Sequence, residues 1–465
     1  MSTASTTSAK SYRVINPATG EPGEEFPLAT DAEIQDALAA SQAAFESWRE
    51  VPIEERGKIV TRIAELFTER KDELAAIITE EMGKPLPESA GEAEYCTEIF
   101  EYFAIEGPSL AADQEIKAIG GGRAVIQKLP VGPLLGIMPW NYPYYQVARF
   151  AAPNLMLGNT IVLKHAESCP KSALAIQQIM DDAGVPAGVY QNVFASHGQI
   201  ADIIADPRIQ GVSLTGSERA GAIIGELAGK NLKKVVLELG GSDPYVVLDT
   251  DDVKEAAANA WATRLENTGQ ACNSNKRMIV AEDIYDDFVA ELTNLAKDLK
   301  PGDPAEAAEG TYGPLSSRAA AEGLAEQIQD AVSKGATLHA GGTLSDGPSS
   351  YLAPAVLTGI TPEMRAYREE LFGPVAVVYK VGSDEEAVKL ANDSDYGLGG
   401  VVFSTDEERA RKVAAQLEVG MANVNGVGEG AGIPFGGVKR SGYGRELGPL
   451  GMDEFVNKRL FYIAE

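Results

Sequence analysis

Leu134-Leu135-Gly136-Ile137-Met138 opens a stretch that closes on Val235-Val236-Leu237-Glu238-Leu239, and between the two, short apolar runs alternate with amphipathic ones. Residues 160–163, 193–195 and 211–214 read, with the two quoted segments, as buried strands. Residues 172–183 and 218–228 carry apolar side chains at helical spacing, and Gly184 and Gly229 follow as C-terminal stops. Strand and helix in alternation predict an α/β fold with a parallel, doubly wound sheet.

Working outward, the first hundred residues read as mostly helical, over 31–48 and 53–81, with Gly83-Lys84-Pro85 ending the second run. After Gly240 a second strand and helix series begins, with strands at 278–280 and 375–378 and helices at 284–299 and 385–391, which predicts a second α/β domain. Residues 123–128 and 455–463 are strand-like and belong to neither series. Such strands pair across subunits or form an edge hairpin within one chain, and the pattern alone does not decide between them.

At 465 residues the chain exceeds the size of one core, so two or more domains are expected. No apolar run reaches the ~20 residues of a membrane span. Met1 to Lys10 is a polar Ser/Thr-rich tail without the apolar segment of a signal peptide. Three widely separated cysteines, Cys96, Cys169 and Cys272, fit a reducing cytoplasm and no disulfide framework or zinc site. The net charge of -28 argues against nucleic acid and anionic membrane as partners. Dispersed acidic charge of this size repels itself unless screened, to roughly 3 Å in molar salt, which suggests a salty cytoplasm.

Three elements carry the chemistry. Cys272 ends Asn267-Thr268-Gly269-Gln270-Ala271-Cys272, where Gly269 permits a tight turn and the flanking residues are small or polar. A thiol there can meet a substrate beside backbone N–H groups, although most cysteines are small buried hydrophobes. Glu238 lies in an apolar strand; either it sits at a solvated strand end, or an apolar cleft raises its pKa so that it takes a proton from water. Asn141, in Pro139-Trp140-Asn141-Tyr142-Pro143, follows a strand where open sheets bind ligands; it donates to an oxyanion or makes an Asx-turn. Gly216-Ser217 opens a helix after a strand, as a phosphate site does, but without the G-x-G-x-x-G spacing. No serine-hydrolase elbow, H-E-x-x-H or P-loop occurs, and the three histidines form no ligand pattern, so no metal site is expected.

In order, these motifs resemble the aldehyde dehydrogenase superfamily from about Tyr12 to the C-terminus. Asn16-Pro17-Ala18-Thr19-Gly20, Leu237-Glu238-Leu239-Gly240-Gly241, Glu370-Leu371-Phe372-Gly373-Pro374-Val375 and Pro434-Phe435-Gly436-Gly437-Val438-Lys439 complete the series. The resemblance implies two doubly wound α/β domains with a small β oligomerisation element. Residues 1–111 and 131–240 would bind the dinucleotide, 241–435 would be catalytic, and 112–130 and 446–465 would supply oligomerisation strands of a homodimer or homotetramer.

It further implies Cys272 as nucleophile, Glu238 as general base and Asn141 as oxyanion donor with the Cys272 amide. Lys164 and Glu370 would hold the cofactor riboses, with Trp140, Gly216, Ser217, Gly240 and Phe372 along the cofactor cleft. Glu167 matches a position that binds the adenosine ribose and would repel a 2′-phosphate, favouring NAD; His165, where Pro is commoner, leaves NADP open. Ser242 and Lys164-His165-Ala166 resemble the prokaryotic succinate-semialdehyde dehydrogenase branch. Arg149 matches its substrate-carboxylate position, the alternative being surface pairing with an acidic neighbour, while Glu266 stands where that branch carries a second Arg. Other readings are a general aldehyde dehydrogenase, a CoA-acylating relative or a non-catalytic protein on the same fold. Ser274 replaces the second Cys of some relatives, so a disulfide switch there is excluded.

Overall fold

The computed structural model describes residues 11–119 and 121–464; the tail read at Met1 to Lys10 lies outside the described residues. Two parallel sheets organise the chain. In the first, strands Lys234–Glu238, Gly211–Thr215, Pro133–Ile137, Thr160–Lys164 and Tyr190–Asn192 lie side by side in that order, with Gly442–Tyr443 added antiparallel outside Lys234–Glu238. Successive residues of a strand face opposite sides. Leu134, Ile161, Leu163 and Val236 enter the core shared with the N-terminal helices, and Leu135, Val162, Val212 and Leu237 enter the core on the other face. Burial on both faces explains why these strands are nearly continuous apolar runs.

The second sheet has seven strands, in the order Thr337–Ala340, Ala355–Thr358, Val375–Val381, Arg277–Ala281, Pro244–Val247, Gly399–Phe403 and Met421–Val424. Only Thr337–Ala340 runs antiparallel. Met278, Val280, Ala376 and Val378 pack on helices Val253–Leu265 and Glu282–Asp298; Ile279, Val375 and Val377 pack on helices Arg318–Ser333, Asp384–Asn392 and Glu407–Ala414. Each fully buried aliphatic side chain of this kind stabilises the fold by about 1.5–3 kcal/mol. The strand-like outliers pair with each other: Val456–Ile463, Arg123–Pro130 and Gln114–Ile116 form a three-stranded antiparallel sheet. No helix among the described residues is long and apolar enough to cross a membrane.

Three local expectations are corrected. The helical run at 53–81 is two helices, Ile53–Glu69 and Lys71–Met82, because Arg70 leaves helical geometry at φ −108°, ψ 13°. The strand expected at 193–195 is Tyr190–Asn192; Val193 and Ala195 owe their apolar character to burial in the loop that follows. Gly229 does not stop its helix, which runs to Lys230, and the left-handed residue beyond it is Leu232 at φ 53°. The first hundred residues are otherwise mostly helical, as expected, behind an N-terminal hairpin of Ser11–Ile15 and Pro22–Pro27.

Candidate active site

Four neighbouring strands of the first sheet end at one level, Ile137 beside Lys164 and Leu214, and Thr215 beside Glu238. Beyond the carboxyl ends of such strands lies the ligand crevice of an open α/β sheet. Trp140 and Asn141 follow the first strand, Lys164 and Glu238 end their own, and Gly216 and Ser217 lead into helix Glu218–Lys230. The Gly216 N–H donates to the Glu238 carbonyl at 2.9 Å, and Ser217 caps the helix by accepting from the Ala220 N–H at 3.3 Å. The remaining first-turn N–H groups have no acceptor within the helix, the arrangement that favours an anion at a helix N-terminus. Lys164 is buried, which lowers its pKa; its nearest carboxylate is Glu167 at 3.9 Å. Glu167 also stands 3.4 Å from His197 Nε2.

The second half supplies the facing wall. Asn267, Thr268 and Gly269 take left-handed backbone in succession, at φ 50°, 53° and 74°, and throw the chain into the turn that presents Cys272. Gly269 is required, since a Cβ there would stand 2.4 Å from the Gly373 carbonyl oxygen. Asn267 Nδ2 donates to the Asn141 carbonyl at 2.8 Å, and Asn141 Nδ2 donates to the Gln270 carbonyl at 3.0 Å. The Cys272 turn and the Asn141 loop are thereby tied together, and Asn141 retains a second N–H. Burial pushes the Cys272 thiol up to about 11; Arg149 and Lys276 oppose that, while Glu370 and Glu238 add to it.

Glu238 is 2% exposed, and neither carboxylate oxygen has a hydrogen-bond partner among the described residues. Burial raises its pKa well above the carboxylate range against the pull of Arg149, so the group is poised to hold or move a proton. A Cβ on Gly436 would stand 2.6 Å from Glu238 Oε1, so that glycine leaves the carboxylate its space. Glu370 accepts from the Gly241 N–H at 2.9 Å and crowds Gly240, where a Cβ would lie 2.5 Å from Oε2. Trp140 meets Phe372 edge to face at 5.7 Å across the cleft.

Arg149 does not make the surface pairing that was the alternative reading of it. It is neither free nor on the surface: it is 0% exposed, ion-paired with Glu446 and flanked by the rings of Tyr145 at 4.9 Å and Phe435 at 4.4 Å. A buried guanidinium needs such a counter-charge. Nη2 reaches Thr215 Oγ1 at 3.4 Å, and Nη1 has no protein partner among the described residues. Glu266 is exposed and accepts from the Tyr142 hydroxyl at 3.0 Å.

The model of the aldehyde dehydrogenase family matches residues 3–460. The chain belongs to the aldehyde dehydrogenase family. It is 52% identical to the succinate-semialdehyde dehydrogenase [NADP(+)] of Deinococcus radiodurans, over 97% of this chain and 94% of that one. The probable succinate-semialdehyde dehydrogenase [NADP(+)] of Synechocystis sp. is 40% identical over 97% of this chain and 99% of its own. The crystal structure of succinic semialdehyde dehydrogenase from Streptococcus pyogenes in complex with NADP+ superposes with a TM-score of 0.94 at 42% identity, covering 98% of this chain and 100% of that one. The chain is thus an aldehyde oxidoreductase that uses a nicotinamide dinucleotide.

Around this aldehyde dehydrogenase cleft stand residues that sequence reasoning missed. Glu446 pairs with Arg149, yet nothing local distinguishes it from a surface carboxylate. Arg264 is 0% exposed and forms no ion pair among the described residues; it donates to the carbonyls of Gly269 at 3.1 Å, Leu371 at 2.7 Å, Val375 at 2.7 Å and Gly373, and to Ser274 Oγ at 2.8 Å. Burial lowers its pKa to about 9. Lys276 reads as half of a basic pair with Arg277, but is buried behind Cys272.

Proposed function

We propose that the chain oxidises succinate semialdehyde to succinate through a thiohemiacetal and a thioester on Cys272. One observation carries the mechanism: the Cys272 turn is tied through Gln270 to Asn141, beside a buried Glu238 whose carboxylate has no hydrogen-bond partner among the described residues. The Cys272 thiolate adds to the aldehyde carbon, and the oxygen gains negative charge that the second Asn141 N–H and the Cys272 amide stabilise. The dinucleotide supplies the hydride acceptor. Glu238 then takes a proton from water, which attacks the thioester carbonyl and releases the acid and the thiol. A partnerless, buried carboxylate favours water over CoA as the group that resolves the thioester.

The residues present fit a dinucleotide. Lys164 and Glu370 would take ribose hydroxyls, Gly216 and Ser217 would meet a phosphate at the helix N-terminus, and Trp140 with Phe372 would bound the cleft. The sheet built on residues 1–111 and 131–240 would be the coenzyme-binding part and residues 241–435 the catalytic part. As coenzyme we propose NADP+, in line with the relatives' names, so the NAD-first expectation is revised. Glu167 supports NAD+ as a second reading, because its carboxylate shares the Lys164 neighbourhood with any 2′-phosphate. For the substrate carboxylate, Arg149 Nη1 is the guanidinium nitrogen left over, and Glu266 is occupied with Tyr142 at the exposed side.

The three-stranded sheet would join copies of the chain: Leu460, Phe461, Tyr462 and Ile463 on its edge strand are 62%, 46%, 51% and 51% exposed, and an apolar edge calls for cover. Light scattering after size exclusion would give dimer or tetramer, and a monomer would remove this reading. A reducing cytoplasm would keep Cys272 a thiol. The deciding assay follows reduced-coenzyme absorbance in multimolar KCl, with succinate semialdehyde beside neutral aldehydes and NADP+ beside NAD+. Preference for the neutral aldehydes would sink the substrate assignment, and a higher kcat/KM with NAD+ would sink the coenzyme assignment. Glu238→Gln should give one turnover of reduced coenzyme per site and then stall; normal steady-state turnover would remove Glu238 from the mechanism.

A further inference from the structure

Lys276 stands four residues beyond the nucleophile with its side chain 1% exposed. A buried ammonium destabilises a fold unless its hydrogen bonds are met. Here Nζ donates to the Ala271 carbonyl at 2.7 Å and the Cys272 carbonyl at 2.7 Å, and it faces Glu370 Oε1 at 3.2 Å. Three donors meet three acceptors.

The geometry of these bonds bears on the reaction. A trans peptide is planar, with its C=O and N–H pointing opposite ways. Drawing the Ala271 carbonyl onto Lys276 therefore turns the Cys272 N–H away from it, and drawing in the Cys272 carbonyl does the same for the Asn273 N–H. No backbone acceptor takes the Cys272 N–H among the described residues. The same carbonyl packs on Gly241, where a Cβ would lie 2.4 Å from it, and the Gly241 N–H bonds Glu370. One ammonium thus touches the nucleophile's own backbone and the carboxylate assigned to the coenzyme ribose.

We infer that Lys276 is a positioning residue that aims the Cys272 amide at the oxyanion and couples this aim to the seating of coenzyme on Glu370. The inference rests on the roles proposed above for Cys272 and Glu370. Ribose hydroxyls donating to Glu370 take up part of its charge, and Lys276 then holds the two carbonyls more strongly. The charged groups around the thiol are Arg149, Lys276, Glu370 and Glu238, with the Tyr145 hydroxyl nearby.

The test compares wild type with Cys272→Ala, Lys276→Gln, Lys276→Arg and Glu370→Gln in molar KCl. Two quantities are read: steady-state kcat and KM, and the rate at which iodoacetamide alkylates Cys272, followed by peptide mass across pH with and without NADP+. Lys276→Gln should lower kcat on the order of 10²-fold, as loss of an oxyanion donor does, with a smaller rise in coenzyme KM. Its alkylation should slow about tenfold at fixed pH and no longer respond to NADP+, and Lys276→Arg should restore part of both. A folded Lys276→Gln with the wild-type alkylation profile, or a wild-type rate that ignores NADP+, overturns the inference. If Lys276→Gln does not fold, Glu370→Gln decides: it should alkylate faster without coenzyme and ignore NADP+, and an unchanged profile overturns the coupling. Turnover by Cys272→Ala would sink the nucleophile assignment itself, and the inference with it.

Discussion

The two walls of the cleft are built by different means. The wall from the six-stranded sheet presents Asn141, Lys164, Ser217 and Glu238 at the ends of four hydrogen-bonded strands, so the sheet fixes their places. The facing wall presents Cys272, Glu370 and Phe372 on loops, and two buried cations, Arg264 and Lys276, gather those loops by their carbonyls. Where a sheet does the positioning, a side chain can be replaced at the cost of chemistry alone. Where a side chain does it, chemistry and stability depend on the same residue.

Substitutions on each wall can break that contrast. Cys272→Ala should abolish reduced-coenzyme formation and leave the thermal midpoint at the wild-type value; residual Cys272-independent turnover would be the most damaging result. Arg264→Met should cost on the order of 3–5 kcal/mol in denaturant titration at constant salt, since it strands several buried carbonyls. A loss below about 1 kcal/mol would show that the loops hold themselves. Asn141→Ala, on the sheet wall, should lower kcat on the order of 10²–10³-fold while stability stays within about 1 kcal/mol. The smallest effect is graded with pH. Because burial holds the Cys272 thiol up to about 11 and the thiolate is the reactive form, alkylation without coenzyme should rise about tenfold per pH unit from neutrality upward. A plateau starting near neutral pH would show that Arg149 and Lys276 outweigh burial.

The same contrast decides what a reader of the sequence can see. Residue period marks the parallel strands, topology puts ligand groups at their ends, and Gly83 at φ 74° stops a helix as its place in the chain suggests. The cations of the other wall give no such sign. Arg264 lies on a helix with no local mark of burial, and Lys276 resembles any lysine before a strand. Arg70 breaks a helix without Gly or Pro, so period alone reads through it. Strand Gly442–Tyr443 is too short to have a period, and Arg149 finds Glu446 only through the tertiary fold. Coenzyme choice is not legible for another reason: Glu167 speaks for NAD+ by charge alone, whereas the relatives' names carry NADP(+).

Strand Gly442–Tyr443 lies beside Glu238 but follows the whole seven-stranded sheet in the chain. During synthesis, a chain that has emerged as far as Val424 holds every strand of the larger sheet, while the smaller one still lacks its border. Gly436, Gly442 and Glu446, which surround the proposed base and its arginine, leave the ribosome after the whole of that larger sheet. The buried carboxylate of Glu238 is thus written midway through translation and covered only after the larger sheet is complete, when the segment that carries those three residues folds back across the first half.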